Sequence, residues 1–275
     1  MGDLVQKTRQ LADHGDHSRM KAWLKPTDAS IKYVNAANLR HPDTGRWLLR
    51  SDRYLWFKST LSARLWLRGI PGSGKTVLAS TVIEDLKQAN TTTPGSAVIY
   101  FFFSFSDESA QKLDNLLRSL VFQLAASNSS AKVHLMELYK SCAGGDQQPQ
   151  MRDLVKVFGE IIVELRSVTV ILDALDESTD RRDLLRWITA SPNQHCKFIL
   201  LSRSEIEIEE ALASWPSPGR TITLEDEPMG EDLKVYIQFR LQEASNLNRM
   251  KSMHNEISDV LVKKAGGMWV TRVGY

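Results

Sequence analysis

A glycine-rich stretch at residues 69–76 carries the strongest chemical signal in this sequence. It reads Gly-Ile-Pro-Gly-Ser-Gly-Lys-Thr and satisfies GxxxxGK[ST] in full, the pattern of a loop that wraps nucleotide phosphates. Its glycines let backbone N–H groups turn toward phosphate oxygens, Lys75 can reach the β- and γ-phosphates, and Thr76 can offer its hydroxyl to Mg²⁺. The predicted nucleotide-binding residues of this segment are Gly69, Pro71, Gly72, Ser73, Gly74, Lys75, Thr76 and Val77.

The residues around this stretch favour a phosphate loop over an ordinary turn with an exposed lysine. An apolar strand, Leu65 to Leu67, precedes it, and Leu78, Val82 and Leu86 follow at a spacing that places them on one helix face. A strand, a loop and a helix N-terminus are what phosphate binding requires.

Three acids follow a second apolar strand, Val168 to Leu172. Carboxylates at a strand tip lie at the sheet edge where α/β proteins bind ligands, so we predict that Asp173 holds Mg²⁺ through its water shell. Asp176 and Glu177 are the predicted catalytic residues, because either can accept or orient the proton of an attacking water. The alternative is that these acids belong to a solvated loop, with Asp176 capping the next helix.

A third apolar strand, Lys197 to Ser202, ends in Arg203. The planar donor group of an arginine suits a phosphate, so Arg203 is a predicted nucleotide ligand that would sense the γ-phosphate. The alternative is a surface arginine paired with Glu205 or Glu207.

The segment after the aromatic strand and a pair of arginines each have two possible interpretations. The aromatic strand Ala97 to Phe103 is expected in the core, but its tail, Ser104 to Asp107, could also approach the nucleotide. Arg181 and Arg182 are either a solvated helix start or an arginine finger that acts on a second molecule.

The alternation of strand and helix signals predicts a mostly parallel α/β sheet. We expect a polar lead-in at residues 1–32, a nucleotide-binding core at 33–228 and a helical lid segment at 229–275. Helices are expected at Asp232–Ala244 and Ile257–Ala265 within the lid.

Composition excludes several classes of protein. The formal net charge is +2, from 35 basic and 33 acidic residues that are scattered along the chain, so we expect no nucleic-acid partner. The longest apolar run, Ala97 to Phe103, is far too short for a membrane helix, and the first thirty residues are too polar for a secretory signal. We therefore expect a cytoplasmic protein, in which Cys142 and Cys196 are reduced packing residues.

Taken together, these motifs resemble the STAND class of P-loop NTPases, specifically NACHT-type and nephrocystin-like domains common in fungal proteins. The resemblance is carried by the following segments: Thr44 to Leu49 with Trp56, the loop with its strand from Leu65 to Thr76, Ile171 to Glu177, Phe198 to Arg203, Asp232 to Ile237, and Ala265 to Trp269. It covers roughly residues 20–270, and the second and third of these segments match the family's Walker A and Walker B motifs.

The resemblance implies a three-layer P-loop NTPase of the additional-strand class with a small C-terminal helical lid. It also implies that the phosphate-loop strand is central and is separated from the Walker B strand by the sensor strand. Members of the family are signalling switches, in processes that resemble innate immunity: exchange of ADP for ATP opens the lid and permits self-association, and slow hydrolysis resets it.

The chain departs from the family after the Gly-Gly-Met-Trp segment, because Thr271 to Tyr275 does not match the usual continuation. We therefore expect a shortened chain whose protein partners bind through domains that are missing from it. Two questions stay open: whether the nucleotide is ATP or GTP, and whether the domain hydrolyses it or only binds it as a scaffold.

Overall fold

A five-stranded parallel sheet forms the centre of this computed structural model, which describes residues 15–42, 44–91, 93–190, 195–213, 221–227, 229–243 and 253–265. The strands are Arg64–Arg68 (β1), Ser96–Phe102 (β2), Ser167–Asp173 (β3), Cys196–Ser202 (β4) and Thr221–Thr223 (β5). They lie in the order β2-β3-β4-β1-β5, and every neighbouring pair is parallel. As predicted, β4 separates the phosphate-loop strand β1 from the acid-bearing strand β3. The prediction that the phosphate-loop strand is central was wrong, because β5 alone lies on the other side of β1 and the central strand is β4.

Helices cover both faces of the sheet. Among the described residues they are 15–24 (α1), Ala29–Leu39 (α2), Arg46–Arg50 (α3), Asp52–Ser59 (α4), Lys75–Asn90 (α5), Leu113–Ser127 (α6), Ser129–Ser141 (α7), Met151–Glu164 (α8), Arg181–Ala190 (α9), Ile206–Ala213 (α10), Met229–Glu243 (α11) and His254–Ala265 (α12). Short 3₁₀ turns lie at Glu108–Ala110, Ala143–Gly145, Leu175–Glu177 and Leu224–Asp226.

The two faces of the sheet bury two separate apolar clusters. Along β4, Phe198 and Leu200 belong to the cluster that includes α6 to α9, whereas Ile199 and Leu201 belong to the cluster that includes α3 to α5. The alternation follows because successive side chains of a strand point to opposite faces. Apolar strands buried on both faces are typical of parallel sheets, and the predicted three-layer α/β sandwich is confirmed.

Part of the segment that we predicted to be a polar lead-in contributes to the core. Met20, Trp23 and Leu24 of α1 are buried in the larger cluster, and the Trp23 indole N–H donates to the carbonyl of Gln147 at 2.7 Å. Helix α1 ends before Pro26, and Asp28 caps α2 by accepting from the Ser30 amide at 3.0 Å. The sequence did not indicate this burial, because the apolar residues are few and lie in a mostly polar and charged segment. The domain boundary near residue 32 stays a prediction.

A side chain of α6 covers the sheet edge at β2. The Gln123 amide accepts from the backbone N–H of Tyr100 at 3.1 Å and donates to its carbonyl at 2.9 Å. Edge strands otherwise present unpaired backbone groups to solvent. At Tyr100 those groups are satisfied within the chain.

Helices α11 and α12 pack against each other after the sheet, where the sequence predicted a helical lid. Leu233 and Leu241 are buried, and Lys234 pairs with Asp259 at 2.6 Å. The structure places these helices at Met229–Glu243 and His254–Ala265, close to the predicted bounds. Residue 244, the predicted lid motif at residues 266–269 and the divergent end at 271–275 lie outside the described residues.

Both cysteines are packing residues, as predicted. Cys142 and Cys196 are free and buried in the larger cluster, and burial raises the pKa of the Cys196 thiol to about 12. In the part of the chain that the structure describes, every helix is too short or too polar to cross a lipid bilayer.

Candidate functional site

The glycine-rich loop connects the end of β1 to the start of α5, and its glycines are used in two ways. Gly72 and Gly74 have φ angles of 75° and 83°, a left-handed region that is unfavourable for residues with a Cβ atom. At Gly69, a Cβ atom would lie 2.7 Å from the Ser73 hydroxyl and 3.1 Å from the Leu224 side chain. The loop is therefore shaped by backbone conformations and close contacts that only glycine permits.

The Lys75 ammonium is folded over the same loop. Its Nζ atom donates to the carbonyls of Gly69 and Ile70 at 2.7 and 2.8 Å and lies 3.3 Å from Ser73 Oγ. Burial lowers the pKa of Lys75, while the charges of Asp173 and Asp176 oppose that shift. The positive charge thus lies within the loop, where it can complement a bound anion.

Thr76 and Asp173 meet between the ends of β1 and β3. The Thr76 hydroxyl donates to Asp173 Oδ2 at 2.6 Å. Asp173 is only 2% exposed, and its Oδ1 atom has no hydrogen-bond partner among the described residues. Burial raises the pKa of Asp173 to about 6, although the Thr76 hydroxyl and the Lys75 charge both act to lower it.

Asp176 binds Arg203, and this contact joins the ends of β3 and β4. Its Oδ1 accepts from the Arg203 backbone N–H at 3.0 Å, and its Oδ2 lies 3.2 Å from Arg203 Nε. Glu207, which we considered as a partner of Arg203, instead lies 3.7 Å from Arg181 and 3.2 Å from Arg182. Asp176 is 4% exposed and the Arg203 side chain is 43% exposed, so the arginine is the member of the pair that solvent can reach.

Glu177 is held by the tail of β2. Its Oε2 atom accepts from the Phe105 backbone N–H at 2.9 Å. The turn that carries Glu177 begins at Ala174, which has a left-handed φ of 58° and so redirects the chain as it leaves β3. The sequence predicted that the β2 tail could approach the site, but it did not indicate this partner.

The structure adds Glu225, which sequence reasoning missed. Its Oε1 atom accepts from the Ile70 backbone N–H at 2.5 Å, and its charge acts on Lys75. An acid that follows an apolar strand was the signal that identified Asp173, and Glu225 follows β5 in the same way.

The structure brings nearly all predicted site residues together at the carboxyl ends of the parallel strands. Of the others, Pro71 is exposed, and Val77 is half-buried with a carbonyl that accepts from the hydroxyls of Ser80 and Thr81. Their predicted role as nucleotide ligands stays a prediction.

This chain is similar to known proteins over different parts of its length. It is 29% identical to vegetative incompatibility protein HET-E-1 of Podospora anserina over 281 aligned positions, which cover 93% of this chain but only 20% of that protein. Among solved structures, the Aeropyrum pernix ORC1 protein in complex with DNA matches with a TM-score of 0.48 and 16% identity, over 74% of this chain and 50% of that one. The Drosophila ORC bound to DNA matches with a TM-score of 0.43 and 14% identity, over 85% of this chain and 55% of that one.

A family model described as Nephrocystin 3, N-terminal matches residues 43–203. The match runs from the segment before the glycine-rich loop through the loop and the acids after β3 to Arg203. It covers more than half of the 275 residues and, with the similarity to HET-E-1, confirms the resemblance to NACHT-type, nephrocystin-like NTPase domains. The chain therefore belongs to the nephrocystin 3, N-terminal family.

Proposed function

We propose that this chain is the Mg²⁺-dependent nucleotide switch of a NACHT-type signalling protein, which binds ATP and hydrolyses it slowly. The observation that carries the proposal is the contact of Thr76 with Asp173 at 2.6 Å directly beside the glycine-rich loop. A hydroxyl in the first turn of the loop helix and a carboxylate at the tip of a second strand suit a metal ion on a nucleotide.

The residues present fit both a phosphate group and a divalent cation. The positive φ angles of Gly72 and Gly74 and the lack of space for a side chain at Gly69 suit a loop that wraps a phosphate. Asp173 has a buried oxygen without a partner among the described residues, and Mg²⁺ prefers such hard oxygen ligands. When bound, Mg²⁺ would neutralise charge on the phosphates.

The remaining charged residues take separate roles in this proposal. Lys75 places its positive charge within the phosphate loop. Glu177 orients a water molecule or accepts its proton, because only one of its oxygens is engaged by the Phe105 amide. Asp176 fixes the backbone and side chain of Arg203, and the exposed part of that arginine is free to meet the γ-phosphate.

Three acids in the segment that runs from β5 into the lid contact the phosphate loop and the residues before it. Glu225 accepts from the Ile70 amide at 2.5 Å, Glu227 lies 3.3 Å from Arg53, and Asp232 of α11 accepts from the Gly45 amide at 2.5 Å. A nucleotide that changes the loop would change the first of these contacts directly. We infer that the bound nucleotide shifts the position of the lid through them, which requires only that ATP bind one lid position better than the other.

The similarity to HET-E-1 supports a signalling role. HET-E-1 is named a vegetative incompatibility protein, and this chain spans one fifth of its length, so the partners of a longer protein would bind elsewhere. We propose self-association through this domain in the cytoplasm, with no nucleic-acid partner, in keeping with the scattered charges and the formal net charge of +2.

A scaffold without significant turnover is the second candidate. It is favoured by the engagement of both predicted catalytic acids, since Asp176 pairs with Arg203 and Glu177 with the Phe105 amide. In this case the nucleotide, ATP or GTP, would control assembly only.

Single-turnover hydrolysis of ATP and GTP with and without Mg²⁺, read beside light scattering, tests the proposal. We expect slow Mg²⁺-dependent turnover of ATP in the wild type and its loss in Thr76→Ala. Thr81→Ala is the matched control, because its hydroxyl donates within α5, to the Val77 carbonyl at 3.0 Å. Nucleotide-dependent assembly without turnover would favour the scaffold, and no binding of either nucleotide would overturn both candidates.

A further inference from the structure

The loop after β2 and the loop after β3 are joined through Gln111. The Gln111 carbonyl accepts from the backbone N–H of Thr179 at 3.0 Å and from the Ser178 hydroxyl at 3.1 Å. Both donors directly follow Glu177 in the chain. The backbone of Gln111 therefore fixes the end of the turn that carries this glutamate.

The side chain of Gln111 closes a ring of hydrogen bonds that leads back to the same glutamate. Its Nε2 atom donates to the Phe105 carbonyl at 2.8 Å, and the Phe105 N–H donates to Glu177 Oε2 at 2.9 Å. Gln111 thus holds both the turn that carries Glu177 and the residue that binds the Glu177 carboxylate.

Phe105 depends on this glutamine because its own side chain does not anchor it. The ring is 58% exposed, whereas the neighbouring Phe103 is buried at 2%. The rest of the loop has its own bonds: the Ser104 N–H donates to the Ala110 carbonyl at 3.0 Å, and Asp107 accepts from the Ser109 amide at 3.0 Å. Among the bonds of this loop, the one from Gln111 fixes the carbonyl of Phe105 and so the direction of its peptide groups.

We propose that Gln111 is a positioning residue for Glu177. It holds the Phe105 amide in place, and that amide in turn fixes the orientation of the Glu177 carboxylate at the edge of the nucleotide site. This inference rests on the proposed function, in which Glu177 orients or deprotonates the attacking water. Gln111 itself acts only through Phe105 and the turn.

The test compares Gln111→Met with Gln88→Met. Methionine is close to glutamine in length but cannot donate to the Phe105 carbonyl. Gln88 is exposed near the end of α5, so the same exchange there serves as the matched control away from the site. For Gln111→Met we expect single-turnover hydrolysis to fall about tenfold, a part of the roughly 10²–10⁴-fold that a positioned general base contributes, with nucleotide affinity unchanged. For Gln88→Met we expect both quantities to stay at the wild-type level.

A double-mutant cycle with Glu177→Gln shows whether Gln111 acts through Glu177. We expect Gln111→Met to have no further effect on turnover once Glu177→Gln is present. An equal fractional loss in both backgrounds, or wild-type turnover in Gln111→Met beside a defect in Glu177→Gln, would overturn the inference. Wild-type turnover in Glu177→Gln would instead overturn the catalytic role of Glu177 in the proposed function.

Hydrogen exchange of the Phe105 amide gives a readout that does not need turnover. We expect this amide to exchange faster in Gln111→Met than in the wild type, while the amides of β3 keep their protection. Unchanged protection at Phe105 would overturn the positioning role even if the wild-type protein hydrolyses no nucleotide.

Discussion

The glycine-rich loop and the acidic loop after β3 lie side by side at the carboxyl ends of the strands. The backbone holds the first loop in place, whereas side chains hold the second. The first is shaped by backbone: two left-handed glycines and a third with no space for a Cβ atom. The second is held by side chains, through the contacts of Asp173 with Thr76, Asp176 with Arg203 and Glu177 with Phe105.

The difference matters for how each loop responds to change. A loop shaped by backbone geometry keeps its form when a neighbouring charge is altered. A loop held by buried carboxylates depends on protonation and on the ions around it, because each buried charge needs a partner. We expect the glycine-rich loop to set affinity and the acidic loop to set dependence on metal and pH.

The largest expected effect is that of Lys75→Ala on nucleotide affinity. Truncating one partner of a buried ionic contact typically costs about 2–5 kcal/mol, so we expect affinity by calorimetry to fall by about 30-fold or more. Lys87→Ala is the matched control, because Lys87 lies on the same helix but packs over the rings of Tyr33 and Tyr100. Wild-type affinity in Lys75→Ala would rule out the assigned phosphate loop.

Asp173→Asn should affect metal binding and stability in opposite directions. The pKa of Asp173 rises from 3.8 to about 6 on folding, so the native state binds the proton more tightly and wild-type stability falls as pH rises from about 4 to about 6. At pH 7 without metal or nucleotide, we expect the variant to be more stable by roughly 1–3 kcal/mol, at 1.36 kcal/mol per pKa unit, and to lose Mg²⁺-dependent binding.

Urea unfolding of the wild type and the variant at pH 5 and pH 7 measures this difference. Asp176→Asn is the control, because it weakens the contact with Arg203 and should destabilise the protein. A stability difference between wild type and Asp173→Asn that does not grow between the two pH values would contradict the assigned cost of the buried charge.

The smallest effect concerns the backbone of the glycine-rich loop. Gly74 has a φ of 83°, and we expect Gly74→Ala to destabilise the protein by about 1 kcal/mol. Gly159 lies inside α8 with open space around its Cβ position, so Gly159→Ala should stabilise by roughly 0.5–1 kcal/mol. Thermal unfolding of both variants checks the pair, and a stabilising Gly74→Ala would mean that the loop is less constrained than its backbone angles indicate.

The sequence predicted the positions of the two loops but not the contacts that hold the acidic one. Spacing along the chain located the loop and the acids, because a phosphate loop and a strand tip are local patterns. The partners of the acids could not be predicted from spacing, because they are distant in sequence. Glu177 contacts Phe105 across 72 residues, and Asp232 of the lid contacts Gly45 across 187. Such contacts depend on the order of strands and on the placement of the lid.

More of the fold than of the site could be predicted from the sequence. Apolar runs located β1 to β4 within one or two residues, and the resemblance predicted that β4 lies between β1 and β3. The contribution of α1 to the core was missed because Met20, Trp23 and Leu24 are few and lie in a mostly polar and charged segment, and their burial depends on α6 to α8, which come about one hundred residues later.

The contact between Gln123 and the β2 edge limits how copies of this domain can associate. At Tyr100, a neighbouring chain could not add a strand in register, because Gln123 already occupies the N–H and carbonyl that such a strand would use. Growth of the sheet from one copy into the next is therefore blocked at this position. On the β2 side of the sheet, an ordered assembly would therefore join copies through side-chain surfaces, and the positions of helices and loops would set the number and angle of the subunits.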